Sequence, residues 1–71
     1  MHSVYNVIEM TGTSTESWEK AATAAVAEAA QTLRDLDTAT VIEQDLLISD
    51  DSALFRTKVR LSFKHEATDR A

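Results

Sequence analysis

Residues 53–64 read ALFRTKVRLSFK, and this stretch alternates between apolar and polar side chains almost without interruption. Successive side chains of a β-strand point to opposite faces of the sheet, so the alternation predicts a strand with one buried and one polar face. The predicted buried face carries Phe55, Thr57, Val59, Leu61 and Phe63, and the polar face carries Arg56, Lys58, Arg60, Ser62 and Lys64. A half-buried strand of this kind is typical of an antiparallel sheet.

Two more strands precede it in the sequence. Residues 4–10, VYNVIEM, are rich in β-branched and aromatic side chains, which favour strands. Residues 39–48 are predicted to form the second strand, and residues 49–52, SDDS, form a turn cluster that joins it to the third.

The segment between the first two strands predicts one long helix over residues 15–37, because strong helix formers dominate it. Residues 11–14, TGTS, are expected to end the first strand. Thr13 with Glu16 has the spacing of a capping box, and Ser14 is an equally good N-cap on its own. Apolar residues at spacings of three and four form the stripe expected to face the sheet: Trp18, Ala22, Ala25, Ala29, Leu33 and Leu36. The Ala-rich middle of this stripe should let the sheet approach the helix closely.

The charges predict ion pairs between the second and third strands. A tight hairpin centred between Asp50 and Asp51 places Asp45 opposite Arg56, and Glu43 opposite Lys58. The chain has 12 acidic residues against 7 Lys and Arg, a net charge of -5, and this excess repels phosphate. We therefore prefer ion pairing over nucleic-acid binding as the role of the basic residues.

The order strand, helix, strand, strand predicts an α+β fold, with a three-stranded antiparallel sheet over one helix. The 71 residues allow one domain, and we expect an ordered core over about residues 3–64 with a frayed tail at 65–71.

The absence of Cys excludes disulfides and thiol nucleophiles. Apolar runs are too short for a membrane span and no signal-peptide pattern opens the chain, so we predict a cytoplasmic protein without membrane contacts.

The small supply of core side chains predicts oligomerisation. Four aromatic residues are present, and seven of the ten residues 21–30 are Ala. Chains below about 70–80 residues rarely bury enough apolar surface to be stable alone, and disulfides are not available here. Association with other copies is the remaining common remedy.

Several stretches of the chain resemble the dodecin family. They are VYNVIEMTGTSTESWEKA at 4–21, LRDL at 33–36, VIEQ at 41–44 and RTKVRLSFK at 56–64. The resemblance implies a three-stranded sheet around one helix, and a hollow shell of twelve copies. It also implies binding of flavins in most members, as storage rather than catalysis, with a stacking Trp before the second strand and a Gln in the third.

This chain departs from both flavin positions, because Thr38 stands at the Trp position and Arg56 at the Gln position. Thr offers no π-face to a ring, and Arg has no acceptor for the ring N–H. The departures resemble a divergent branch called calcium dodecins, which implies ion binding or a structural shell instead of flavin storage. We therefore expect a dodecameric binding or storage protein for an ion or small ligand, with FMN or riboflavin storage as the alternative.

The candidate ligand-binding residues are Thr38, Glu43 and Arg56, and the candidate metal ligands are Glu16, Glu43 and Asp45. Calcium takes about six to eight oxygens, so symmetry-related copies must complete any cage. Ion pairing is the simpler role for Glu43 and Asp45, and helix capping is the simpler role for Glu16. No nucleophile stands in an evident constellation with His, so we predict a protein that is not an enzyme.

Overall fold

The computed structural model describes residues 2–64, and these form the three-stranded sheet and the single helix that the sequence predicts. The elements are β1 (Tyr5–Ser14), α1 (Trp18–Ala30), β2 (Leu36–Ile48) and β3 (Ala53–Lys64). The sheet has the order β1-β3-β2, and both neighbouring pairs are antiparallel. The β-α-β-β fold is therefore confirmed, whereas the predicted tail at 65–71 lies outside the described residues.

β3 is the central strand, and its alternation has the predicted sense. Thr57, Val59 and Leu61 are buried on the side that packs against α1. The hairpin also has the predicted register, since Ile48 pairs with Ala53 across the SDDS turn. Residues on the opposite side of β3 therefore face away from the helix, and we call that side of the sheet the outer face.

The predicted helix over residues 15–37 is too long at both ends, since α1 begins at Trp18 and ends at Ala30. At its start, TGTS does not end β1, because these residues continue to pair with β3 as far as Ser14 opposite Phe55. The Thr13–Glu16 capping box and the alternative N-cap at Ser14 are also wrong. Ser17 is the N-cap, and its Oγ accepts a hydrogen bond from the Lys20 N–H at 3.0 Å.

At its other end the helix stops although the apolar spacing continues. Asp35 takes a left-handed backbone conformation, with φ 58°, and the chain turns there into β2 at Leu36. Leu33 and Leu36 still pack against the core, but from the connection and from β2. Apolar spacing alone therefore does not separate a last helical turn from a connection that folds back onto the same core.

The buried core is small and rich in alanine, as expected. Its apolar members are Ala21, Ala25, Ala29, Val59 and Leu61. Gly12 lies against α1 so closely that an added Cβ would stand 2.0 Å from the Ala21 carbonyl oxygen, which confirms the close approach of helix and sheet. Among residues 2–64, no helix is long and apolar enough to cross a membrane.

Large apolar side chains remain exposed in the single chain. They are Val4, Tyr5, Val7, Val41, Leu46, Leu47 and Ile48. Ile48 is 74% exposed, although an isoleucine gains about 1.5–3 kcal/mol when it is buried. Exposed apolar surface of this extent marks a protein that packs against another chain.

Candidate functional site

The outer face carries three ion pairs centred on β3. Arg56 and Lys58 contact acids of β2, whereas Arg60 contacts an acid of β1. The shortest N···O distances are 2.8 Å for Arg56–Asp45, 3.8 Å for Lys58–Glu43 and 3.2 Å for Arg60–Glu9. The two pairs predicted from the hairpin are confirmed, and the pair with Glu9 is new.

The Arg56–Asp45 pair has the most extensive hydrogen bonding of the three, because it is bidentate. Arg56 Nε donates to Asp45 Oδ1 and Nη2 donates to Oδ2, each at 2.8 Å. These hydrogen bonds hold the pKa of Asp45 below its usual value. Desolvation of the carboxylate raises the pKa, but the positive charges of Arg56 and Lys58 lower it further. The same hydrogen bonds raise the pKa of Arg56, so the pair stays ionised over the physiological range.

These side chains surround a concavity of about 380 Å³ on the outer face. Its lining residues are Thr11, Glu43, Asp45, Arg56 and Lys58, and we call it the charged cleft. Its two acids and two bases balance, and the hydroxyl of Thr11 adds a neutral oxygen. The structure therefore brings together three of the predicted site residues: Glu43, Asp45 and Arg56.

A β-bulge shapes the β2 side of the charged cleft. Val41 pairs with Val59 and Glu43 pairs with Lys58, so β2 uses one more residue than β3 at this point. Such a bulge re-aims the side chains next to it. The regular hairpin register between this bulge and the turn places Glu43 and Asp45 beside the basic row of β3, where both carboxylates reach a cation.

Thr11 lines the charged cleft, although it is not among the predicted site residues. The TGTS pattern predicts the end of the first strand, and a residue outside a strand has no predicted sheet face. The alternation of β1 predicts its position, because Thr11 lies two residues from Glu9 and is therefore on the same face of the sheet.

Thr38 lies apart from the charged cleft. It lines a second cavity of about 180 Å³ together with Val26, Leu36, Asp37, Ala39 and Leu61. Thr38 is opposite Ser62, so within one chain it stands roughly 20 Å from Arg56 along β3. Neither of these two cavities has an aromatic lining residue, so neither offers a π-face to a flavin ring within one chain.

Glu16 also lies outside the charged cleft of its own chain. Its carboxylate pairs with Lys20 one turn along α1. Within residues 2–64, no three His, Cys, Asp or Glu side chains stand close enough to hold a metal ion. Glu43 and Asp45 have the oxygen chemistry that calcium prefers, but two carboxylates from one chain do not complete its coordination.

The family model described as Dodecin matches residues 4–66. The chain belongs to the dodecin family. The calcium dodecin of Mycobacterium tuberculosis is 44% identical over 63 residues, which cover 87% of this chain and 89% of that protein.

Solved dodecin structures share the fold. A crystal structure of the M. tuberculosis calcium dodecin, described as calcium-chelating with a novel calcium-binding site, has a TM-score of 0.83 at 40% identity, and covers 97% of this chain and 100% of that one. The dodecin of Streptomyces coelicolor has a TM-score of 0.85 at 33% identity, covering 93% of this chain and 96% of that one. The sheet and helix described above are therefore the dodecin fold.

Proposed function

We propose that this dodecin is a binding and storage protein, not an enzyme, that assembles as a hollow shell of twelve copies and binds a divalent cation at the charged cleft. Calcium is the cation we favour. The observation that carries the proposal is the pair of carboxylates, Glu43 and Asp45, held two residues apart in a polar concavity. The calcium dodecin of M. tuberculosis, at 44% identity, supports the choice of ion.

The two carboxylates differ in how firmly they are held. Asp45 makes two short hydrogen bonds to Arg56, whereas Glu43 has one contact of 3.8 Å with Lys58. The Glu43 side chain is also 59% exposed. We therefore assign Glu43 as the first oxygen ligand, because Lys58 can withdraw from it at little cost.

Assembly supplies the rest of the coordination in this proposal. Glu43, Asp45 and Thr11 offer fewer oxygens than the roughly six to eight that calcium takes, so water and neighbouring copies must add the others. The exposed apolar side chains support such an assembly, since association removes them from water. Glu16 does not line the cleft in its own chain, so its predicted role as a ligand requires a neighbouring copy.

Flavin storage is the alternative that the family resemblance raises. Thr38 and Arg56 stand at the family's flavin positions, and they meet only if two copies of the chain bring them together. Without the aromatic ring, base–aromatic stacking worth roughly 1–3 kcal/mol is lost. We expect FMN and riboflavin to bind weakly for this reason.

Cytoplasmic localisation stays a prediction from the sequence.

Native mass spectrometry tests the proposal. Twelve chains of 7.8 kDa give a shell of about 94 kDa. We expect this mass without added ligand, calcium adducts on titration with CaCl₂, and no adducts with FMN. Monomers would contradict the assembly, and FMN adducts in place of calcium would favour flavin storage.

A matched pair of variants locates the ion. Glu43→Gln keeps the size of the side chain and removes its charge, so calcium adducts should be lost. Glu28→Gln changes an exposed acid of α1 outside the cleft and should leave them intact. Equal calcium binding by both variants would show that the ion lies elsewhere.

A further inference from the structure

Trp18 joins the start of α1 to the strand that carries both cleft carboxylates. Its indole Nε1–H donates a hydrogen bond to the Asp45 carbonyl oxygen at 3.0 Å. Its own carbonyl accepts a bond from the buried Thr57 hydroxyl at 2.9 Å. The indole ring also packs edge-on against Phe55, with centroids 4.9 Å apart. Trp18 is thus fixed on β3 and reaches across to β2.

β2 needs such a contact more than the other strands do. It is an edge strand, and its bulge precedes Glu43. The helix packs mainly on β1 and β3 and contacts β2 least. The backbone at Asp45 is therefore held by pairing with β3 on one side and by the Trp18 indole from the helix.

We infer that Trp18 is a positioning residue for the charged cleft: its indole fixes the backbone of Asp45 so that the carboxylate meets Arg56 in bidentate geometry. The inference deepens the proposed cation site and rests on it for its function. Trp18 does not line the cleft, so it acts through Asp45 alone. The indole is also a built-in reporter, because the chain has a single Trp.

Trp18→Phe removes the N–H donor while it retains an aromatic ring near Phe55 and the backbone carbonyl that Thr57 binds. Calcium affinity should fall about fivefold, because ion binding must then also fix the Asp45 backbone that this one hydrogen bond holds in place. The Arg56 Nε–H signal should move toward the position of an unbonded guanidinium as the bidentate geometry loosens.

The Arg56 Nε–H signal is measured by ¹H–¹⁵N NMR and is assigned from its absence in Arg56→Gln. This measurement does not depend on calcium. If Trp18→Phe assembles normally with an unchanged Arg56 Nε–H signal, the inference is wrong. If that signal moves but the wild-type protein binds no calcium, the positioning role stands and the proposed ion site fails.

A second measurement covers the case in which Trp18→Phe does not fold. In ¹⁵N-Trp protein, Arg56→Gln should shift the single indole signal, because Asp45 loses its partner. Glu9→Gln breaks the third ion pair without touching Asp45 and should leave the signal in place. Equal shifts, or no shift in either variant, would overturn the inference.

Discussion

Replacement of Gly12 by Ala should destabilise this dodecin severely, although the change adds one methyl group. The new Cβ would lie 2.0 Å from the Ala21 carbonyl oxygen and 3.1 Å from both the Ala21 carbonyl carbon and the Ala25 nitrogen. All three are backbone atoms of α1, so no side chain can move aside. Gly12 has no positive φ, so the backbone conformation itself accepts Ala.

The size of the effect follows from two opposing terms. Ala in a strand gains roughly 0.5–1 kcal/mol over Gly through chain entropy. To reach an ordinary contact of 3.4 Å, the new Cβ and the Ala21 carbonyl oxygen must separate by about 1.4 Å more, which opens the core around Ala25. Overpacking of this kind costs typically 1–3 kcal/mol. We expect Gly12→Ala at the upper end, because the clash is between the β1 backbone and the α1 backbone and no side chain can move aside. The clash therefore outweighs the entropy gain.

Thermal unfolding followed by circular dichroism, at fixed subunit concentration, measures the loss. A change of 2 kcal/mol lowers Tm by roughly 10 °C in a domain of this size. Thr13→Ala is the matched control, because Thr13 is the next residue of β1 and its side chain is exposed. An unchanged Tm and twelve-chain mass for Gly12→Ala would refute the close contact between β1 and α1.

Four further predictions test other parts of the structure. Asp35→Val should lower Tm, because Asp35 has φ 58° and the left-handed region costs a β-branched residue roughly 1–2 kcal/mol; an unchanged Tm would contradict this. Ala25→Asp should abolish the twelve-chain mass, since it buries an unpaired charge at a side chain 3% exposed, and an intact shell would show that this helix face is not the core. The double change Thr38→Trp with Arg56→Gln should produce FMN binding, seen as fluorescence quenching; an assembled but unquenched protein would contradict the mapping of the flavin positions. The lowered pKa of Asp45 means that its pair with Arg56 stabilises the fold above the unfolded value of 3.8 and is lost as pH falls below it. Tm should therefore fall less steeply with acid in Asp45→Asn than in the wild type.

The elements that follow from the sequence are those that local pattern decides. The alternation of residues 53–64 marks β3, and the centre of the SDDS turn sets the register that pairs Asp45 with Arg56. The helix boundaries depend instead on distant contacts. Ser14 is in a strand because β3 lies beside it, and Leu33 follows the end of α1 at Ala30 and packs on the core from the connection to β2.

The site divides in the same way. The cleft wall made by Glu43 and Asp45 follows from the hairpin, whose two strands are adjacent in sequence. The contribution of β1 does not follow from the hairpin. The Glu9–Arg60 pair joins residues 51 positions apart in sequence, with α1 and β2 between them. Nor does the bond from Trp18 to Asp45 follow from spacing, since it depends on how α1 lies over β3. Trp18 is correctly placed on the helix face that meets the sheet, but its indole N–H makes it more than a packing residue.

A cation that binds in the charged cleft must compete with Arg56 and Lys58 for the two carboxylates. Arg56 already neutralises Asp45 through two short hydrogen bonds, whereas Lys58 stands 3.8 Å from Glu43. A monovalent ion gains little by replacing an ammonium of equal charge. A divalent ion gains more, because it can bind Glu43 and use the field of Asp45 without breaking the pair with Arg56. The cleft should therefore prefer divalent over monovalent cations, and added salt should weaken the exposed Lys58 contact before the bidentate pair.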